Sequence, residues 1–204
     1  MSKQWLLGID EVGRGPLAGP VAVGLVLVPN DLNWHSIPGV TDSKQLSALR
    51  RESIVVQAKR LSREGVLHYS VAMTSARVID RIGIVPAIDQ ALRRGLRHLS
   101  KRCALIPEHV SLKLDGGLRA PKEWRYQETI IKGDVTEPVI GLASIVAKVT
   151  RDQYMSRLAT RAGYLQYDFS SHKGYGTKAH RAAIARYGLS DVHRQSYCKN
   201  IELL

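Results

Sequence analysis

Four acidic residues each lie at the end of a short apolar segment in a chain that is otherwise strongly basic. They are Asp10, Glu11, Asp115 and Asp134. Carboxylates brought together at strand ends repel one another unless divalent cations lie between them. Mg²⁺ prefers carboxylate, water and phosphate oxygens as ligands. The pattern therefore predicts a metal site suited to hydrolysing phosphodiester bonds.

Each acid also has a simpler interpretation, which the residue types alone leave open. Asp10 and Glu11 are neighbours, and neighbours on a regular strand face opposite ways, so both reach one site only if the chain bends there. Asp115 before Gly116-Gly117 is also typical of a turn. Asp134 suits the N-terminus of the helix expected after it, where a negative charge favours the helix dipole.

The charge of the chain indicates a polyanionic partner. The formal net charge is +12 and the isoelectric point is about 10.0. Residues 148 to 199 alone hold ten Lys or Arg against three Asp, a net +7. Nucleic acid is favoured over an anionic membrane, and the basic C-terminal part is the expected docking surface for phosphates.

Other features of the sequence argue against secretion and membrane insertion. No apolar run has the length of a transmembrane helix, and Asp10 and Glu11 interrupt any signal-peptide pattern. Cys103 and Cys198 are far apart, and neither belongs to a CxxC unit. We therefore expect a cytoplasmic protein with reduced thiols and no membrane partner.

The hydrophobic pattern predicts an α/β fold, with a mixed central sheet flanked by helices. We expect one domain over residues 1–204, in which 161–204 form a basic helical and loop extension. A helix-period pattern over 75–102 is expected to divide at Gly83 and Pro86. The expected strands are 5–9, 20–28, 66–73, 110–114 and 126–131, and the other expected helices are 47–63, 137–160 and 177–187.

The glycine-rich segment after the first acids, residues 13–20, predicts a tight loop whose backbone approaches a ligand closely. Its letters match the dinucleotide fingerprint G-x-G-x-x-A, but Pro16, Gly19 and Pro20 oppose the helix that this fingerprint needs. The adjacent carboxylates would also repel a pyrophosphate. We expect instead that Gly13 and Gly15 expose main-chain groups to a sugar and that Arg14 holds a phosphate.

Together with other segments, this loop resembles the ribonuclease HII family, which belongs to the type 2 ribonucleases H. Matching pieces run in family order along nearly the whole chain, and their combination is highly specific. They are Asp10–Pro20, Asp42-Ser43-Lys44, Leu114-Asp115-Gly116, Lys132-Gly133-Asp134, Ala143–Asp152, His172–Thr177 and His193–Ser196. With only nine residues before Asp10, the resemblance favours type HII over ribonuclease HIII, whose members carry an extra N-terminal domain.

The resemblance implies a ribonuclease H-like fold and cleavage of RNA by two Mg²⁺ or Mn²⁺ ions, leaving 3′-hydroxyl and 5′-phosphate ends. It implies that Asp10, Glu11, Asp115 and Asp134 form the catalytic, metal-binding quartet. The Gly13-Arg14-Gly15 backbone would sense a ribose 2′-hydroxyl, the group that separates RNA from DNA. Tyr175 would stack on the neighbouring deoxyribose, so substrates would include RNA–DNA hybrids and single ribonucleotides embedded in duplex DNA.

Three further residues are expected at the substrate. Lys44 would contact a phosphate while Ser43 orients its loop, and His180, on the short helix after Tyr175, would face DNA.

We expect a monomer. Two rival hypotheses stay open at this point: another ribonuclease H-fold nuclease or strand-transfer enzyme acting on DNA, and a non-catalytic nucleic-acid-binding protein. Cleavage of an all-DNA duplex would favour the first, and binding without cleavage would favour the second.

Overall fold

The computed structural model describes residues 4–40 and 46–201. Over those ranges the chain folds as a five-stranded mixed sheet covered by helices on both faces, so the predicted fold class is confirmed. The strands are β1 (Trp5–Val12), β2 (Val21–Pro29), β3 (His68–Thr74), β4 (Val110–Asp115) and β5 (Gln127–Ile130). The helices are α1 (Ala48–Arg63), α2 (Ala76–Ile82), α3 (Ile84–Cys103), α4 (Gly133–Thr136), α5 (Pro138–Ala159), α6 (Phe169–His172) and α7 (Lys178–Tyr187).

The sheet has the strand order β3-β2-β1-β4-β5. The first three strands of the chain pair antiparallel as a meander, whereas β4 pairs parallel to β1, and β5 pairs parallel to β4. Since parallel neighbours end at the same edge of a sheet, the carboxyl ends of β1, β4 and β5 meet there. This edge carries the acidic residues singled out by the sequence.

Helix caps explain where the main helices begin. The Ser47 side chain accepts a hydrogen bond from the backbone N–H of Arg50, and the Thr177 side chain accepts one from that of His180. The predicted division of the 75–102 segment lies at Gly83, which has a φ of +85°. Pro86 lies inside the first turn of α3, where a missing N–H does no harm.

The long helix α5 lies unusually close to the sheet because two glycines face it. A Cβ on Gly24 would stand 2.1 Å from the Ala143 carbonyl oxygen, and a Cβ on Gly8 would stand 2.3 Å from that of Val139. Gly24 is the register partner of Asp10. These contacts therefore bring the middle of α5 to the acidic end of β1.

Apolar side chains fill both faces of the sheet. Leu7, Ile9 and Leu25 pack against α3, whereas Val26 and Val28 pack with α1 and α5. A third cluster joins the end of α5 to the C-terminal segment through Met155, Leu158, Tyr167 and Phe169. No helix among the described residues is both long and apolar enough to cross a membrane.

Candidate active site

The strand register brings the four predicted acids to one cavity. Parallel pairing of β1 with β4 runs up to Ile9 and Leu114, so Asp10 and Asp115 are the next residues of the two strands. The Asp134 backbone N–H, in α4, donates a hydrogen bond of 3.3 Å to Asp115 Oδ1. All four acids line a cavity of about 570 Å³. Residues more than 120 positions apart in the sequence thus share one surface.

The strand that carries the first two acids is longer than its apolar pattern predicts. β1 continues through Asp10 and Glu11 to Val12, still paired with β2, and turns only at Gly13, whose φ is +91°. The backbone N–H of Glu11 donates to Asp10 Oδ1 at 2.7 Å. The bend expected from the neighbouring acids therefore follows them, and both still border the cavity.

Burial and mutual repulsion make ionisation of these acids unfavourable in the absence of a cation. Asp10 is only 5% exposed, and burial raises its pKa to about 8, with the charges of Glu11 and Asp115 adding to the increase and a hydrogen bond from Ser144 opposing it. Burial also raises the pKa of Glu11, although Arg14 opposes that increase. The site is therefore electrostatically suited to cations.

The donor set fits hard divalent cations in its chemistry, because it consists of carboxylate oxygens. Glu11 Oε2 is buried, and no residue of 4–40 or 46–201 offers it a hydrogen bond, so one acceptor is left for a ligand. Within those ranges, however, no three acidic, histidine or cysteine side chains stand close enough to enclose an ion. Glu11 Oε1 is instead paired with the Arg14 guanidinium at 2.7 Å. Side-chain rearrangement would therefore accompany metal binding.

A fully buried arginine supports the glycine loop after β1. Arg151 of α5 donates hydrogen bonds to the carbonyl oxygens of Pro20 (2.8 Å), Lys173 (3.0 Å) and Ala18 (3.1 Å). A Cβ on Gly13 would lie 2.3 Å from Arg151 Nε, so only glycine fits there. Gly15, by contrast, has no atom within 4 Å of its Cβ position, which leaves its backbone open to solvent.

Tyr175 borders the same cavity from the C-terminal segment. Its side chain remains 41% exposed. Lys148 Nζ lies 5.6 Å from the centre of its ring and Arg151 Cζ lies 5.8 Å from it, which are cation–π distances. The ring is thus held by α5 at the cavity that also contains the acids and the glycine loop.

The expectation that His180 faces DNA is wrong, because its side chain is fully buried. Its ring stacks on His172, with the ring centres 4.2 Å apart, and its Nε2 lies 3.0 Å from His193 Nε2. His180 does lie on the short helix after Tyr175, but α7 turns this side chain toward the interior. Ser43 and Lys44 lie outside the described residues.

The buried histidines should make the stability of the protein depend on pH. Burial lowers the pKa of both His180 and His193 to about 4, below the ordinary 6.5. The unfolded chain therefore binds more protons between these values, so stability is complete above pH 6.5 and declines as the pH falls toward 4. We expect the free energy of unfolding to fall by about 2–4 kcal/mol between pH 7 and pH 5 from these two groups together.

Thermal denaturation of His193→Asn over the same pH range checks this. Its stability should vary less with pH than that of the wild type, whereas His98→Asn, at an exposed position of α3, should keep the wild-type slope. Equal slopes in all three proteins would contradict the assignment. The titratable neighbours of the pair are His172, Asp191 and Tyr167, which both variants retain.

Sequence reasoning missed three polar side chains at the cavity. Ser144 and Lys148 lie one helical turn apart on α5, and Arg51 comes from α1. Lys148 also pairs with Asp152 at 2.9 Å. A signal was present, because Ser144, Lys148 and Arg151 recur at helical spacing in a segment that is otherwise apolar.

Comparison with known proteins bears directly on this site. The profile of the family described as ribonuclease HII matches residues 7–200. The chain belongs to the ribonuclease HII family. A ribonuclease HII of Polynucleobacter asymbioticus is 41% identical over 197 residues, which cover 97% of this chain and 94% of that protein. The resemblance inferred from the sequence is confirmed.

Solved structures agree on the fold. The ribonuclease HII of Archaeoglobus fulgidus, solved in a complex with PCNA, has a TM-score of 0.73 at 23% identity, covering 96% of this chain and 94% of that one. The ribonuclease HIII named Bst-RNase HIII, solved with Mn²⁺, has a TM-score of 0.66 at 20% identity, covering 92% and 64%.

Membership of the ribonuclease HII family identifies the activity. The chain is a metal-dependent endoribonuclease that hydrolyses the RNA of RNA–DNA hybrids. Its partner is therefore nucleic acid. This result decides against both rival hypotheses, a DNA nuclease on the same fold and a binding protein without catalysis.

Proposed function

We propose that Asp10, Glu11, Asp115 and Asp134 hold two divalent ions, Mg²⁺ or Mn²⁺, and that the enzyme also cuts at single ribonucleotides embedded in duplex DNA. The products carry 3′-hydroxyl and 5′-phosphate ends. The observation that supports this most strongly is the convergence of the four acids on one cavity beside an open glycine backbone. When bound, the ions lower the pKa of water and neutralise charge developing on the phosphate.

The residues of the chain supply binding and orientation around that chemistry. Arg14 is 52% exposed in its pair with Glu11, and an exposed ion pair is weak, so a substrate phosphate can replace the carboxylate as its partner. That exchange frees Glu11 for a cation. Lys148, at the rim of the same cavity, adds positive charge toward the nucleic-acid backbone.

Selection of RNA is assigned to two elements that flank the acids. The backbone of Gly13-Arg14-Gly15 reads the ribose 2′-hydroxyl, which the open space at the Gly15 Cβ position supports. The exposed ring of Tyr175 packs on the next sugar, a deoxyribose at an RNA–DNA junction. Lys44 is assigned a contact with a phosphate, and Ser43 is assigned the orientation of the segment that carries it.

The remaining parts of the proposal concern the whole molecule. The single domain docks duplexes through its basic C-terminal segment, residues 161–204, and acts as a monomer. Both cysteines are free thiols, Cys198 being buried, as in a reducing cytoplasm.

One assay tests the proposed function. A DNA duplex with a single ribonucleotide is incubated with the enzyme and Mg²⁺, then with excess chelator, and the ends are mapped. We expect one cut with a 5′-phosphate, no cut under chelator, and recovery on adding Mg²⁺ or Mn²⁺. An all-DNA duplex of the same sequence is the control. Cleavage of this control at a similar rate would contradict recognition of the ribose 2′-hydroxyl. Cleavage that persists under chelator would contradict the metal site.

A further inference from the structure

The glycine loop and Tyr175, the two elements proposed to recognise the substrate, are joined by one short C-terminal segment. The Leu17 N–H donates to the Gly174 carbonyl oxygen at 2.8 Å, and the Arg194 N–H donates to that of Leu17 at 2.7 Å. An isolated bridge pairs Ala18 with His193. The glycine loop, the Tyr175 segment and residues 192–194 therefore form a single hydrogen-bonded assembly.

Arg194 holds the glycine loop through its side chain. The fully buried guanidinium donates to the carbonyl oxygens of Gly13 (2.7 Å), Arg14 (2.8 Å) and Gly19 (3.1 Å). No ion pair links it to an acid within residues 4–40 and 46–201. A buried cation that donates three hydrogen bonds to carbonyls of the glycine loop sets where that backbone lies.

His193 holds Tyr175 through an intermediate histidine, and the hydrogen bonds specify the tautomers. The Ser190 backbone N–H donates to His193 Nδ1 at 2.9 Å, so the proton of the neutral His193 is on Nε2. That Nε2–H faces His180 Nε2 at 3.0 Å, which must accept. His180 therefore carries its proton on Nδ1 and donates it to the Tyr175 carbonyl oxygen at 2.9 Å.

We propose that the adjacent residues His193 and Arg194 are positioning residues that set the distance between the glycine loop and Tyr175. Arg194 fixes the loop directly, and His193 fixes Tyr175 through His180. Because both act from neighbouring positions of one backbone segment, the two elements cannot shift independently. The pair therefore determines how strongly the enzyme prefers an RNA–DNA junction over uniform hybrid. This inference rests on the proposed roles of the glycine loop and Tyr175.

Two matched substitutions at His193 separate positioning from mere packing. His193→Asn keeps an acceptor near the Nδ1 position but cannot reach His180, whereas His193→Gln extends an amide N–H toward the position of Nε2. Both lose the ring. We expect the Asn variant to lose preference for the embedded ribonucleotide, as the ratio of kcat/KM on that substrate to kcat/KM on uniform hybrid, by roughly 10-fold or more. The Gln variant should recover most of it.

Arg194→Lys tests the other half, because an ammonium cannot serve three carbonyls in the fixed directions of a guanidinium. We expect a similar fall in the ratio, with the exposed Arg97→Lys of α3 as the matched control that keeps it. Folding of every variant is checked by thermal denaturation. Should Arg194→Lys fail to fold, the His193 pair still decides the proposal.

A double-variant cycle completes the test. If His193 acts through Tyr175, adding His193→Asn to Tyr175→Ala should cause no further fall in the ratio. An unchanged ratio in His193→Asn and Arg194→Lys, with a lowered ratio in Tyr175→Ala, would overturn the positioning role alone. A wild-type enzyme without any junction preference would overturn the proposed substrate assignment as well.

Discussion

Replacing Asp10 by asparagine is expected to abolish cleavage while binding to an RNA–DNA hybrid persists. Asn removes a carboxylate of the acidic cavity and with it a proposed ion ligand, whose contribution we expect to be several kcal/mol, or roughly 10³-fold in rate or more. Asp115→Asn should behave alike. Single-turnover cleavage and hybrid binding in chelator measure the two properties separately.

The same substitution should stabilise the metal-free protein. Burial raises the pKa of Asp10 to about 8, with the charges of Glu11 and Asp115 adding to the increase, so folding at pH 7 without a metal ion must either bury the carboxylate charge or neutralise it with a proton, and asparagine avoids that cost. We expect a gain of about 1–2 kcal/mol, or roughly 2–8 °C in melting temperature. Asp89→Asn, which breaks an exposed ion pair with Arg93 on α3, serves as the control with wild-type activity. Undiminished turnover in Asp10→Asn would refute the metal assignment.

Alanine at two glycines of the same loop is expected to have different effects on stability. Gly13→Ala places a methyl group 2.3 Å from buried Arg151 Nε, at a φ of +91°. We expect a loss of about 2–4 kcal/mol in stability, because strain and a displaced buried cation combine. Since Arg151 also supports Ala18 and Pro20, cleavage of every substrate should fall, by roughly 100-fold or more.

Gly15→Ala is the matched comparison, because its added methyl group meets no protein atom within 4 Å. Stability should stay within about 0.5 kcal/mol of the wild type. Cleavage at a ribonucleotide should nevertheless fall, since the methyl group occupies the space that the proposed contact with the sugar requires. Melting temperature and kcat/KM of both variants give the comparison. Full activity in Gly15→Ala would show that this backbone does not approach the ribose.

The chain order of strands and helices could be predicted closely from hydrophobic periodicity. The long helix expected over 137–160 is observed as α5, Pro138–Ala159, and the division at Gly83 is where glycine and the apolar spacing indicate it. Among the predicted elements, the bounds differ most at β1, which extends to Val12 because its antiparallel pairing with β2 continues beyond the apolar residues. Polar residues on a paired strand leave no such signal.

The acidic residues of the candidate site could be predicted from the sequence, but the residues that hold the glycine loop and Tyr175 could not. Asp10, Glu11, Asp115 and Asp134 are conspicuous as carboxylates after apolar segments in a basic chain. His180 was misplaced, because its position on α7 gives no indication of the two histidines that bury it. Its neighbours His172 and His193 lie on different segments, and only packing brings the three rings together.

By itself, the sequence determined the fold class, the family and the acidic residues, since each of these is written in side-chain type and local spacing. Only the tertiary structure decided how the glycine loop is held. Arg151 and Arg194 hold the loop by donating to its backbone carbonyls, which are more than 130 residues away in the chain. Because every residue has the same backbone carbonyl, these contacts leave no signal in the residue types of the loop. Such contacts therefore become visible only when the chain has folded.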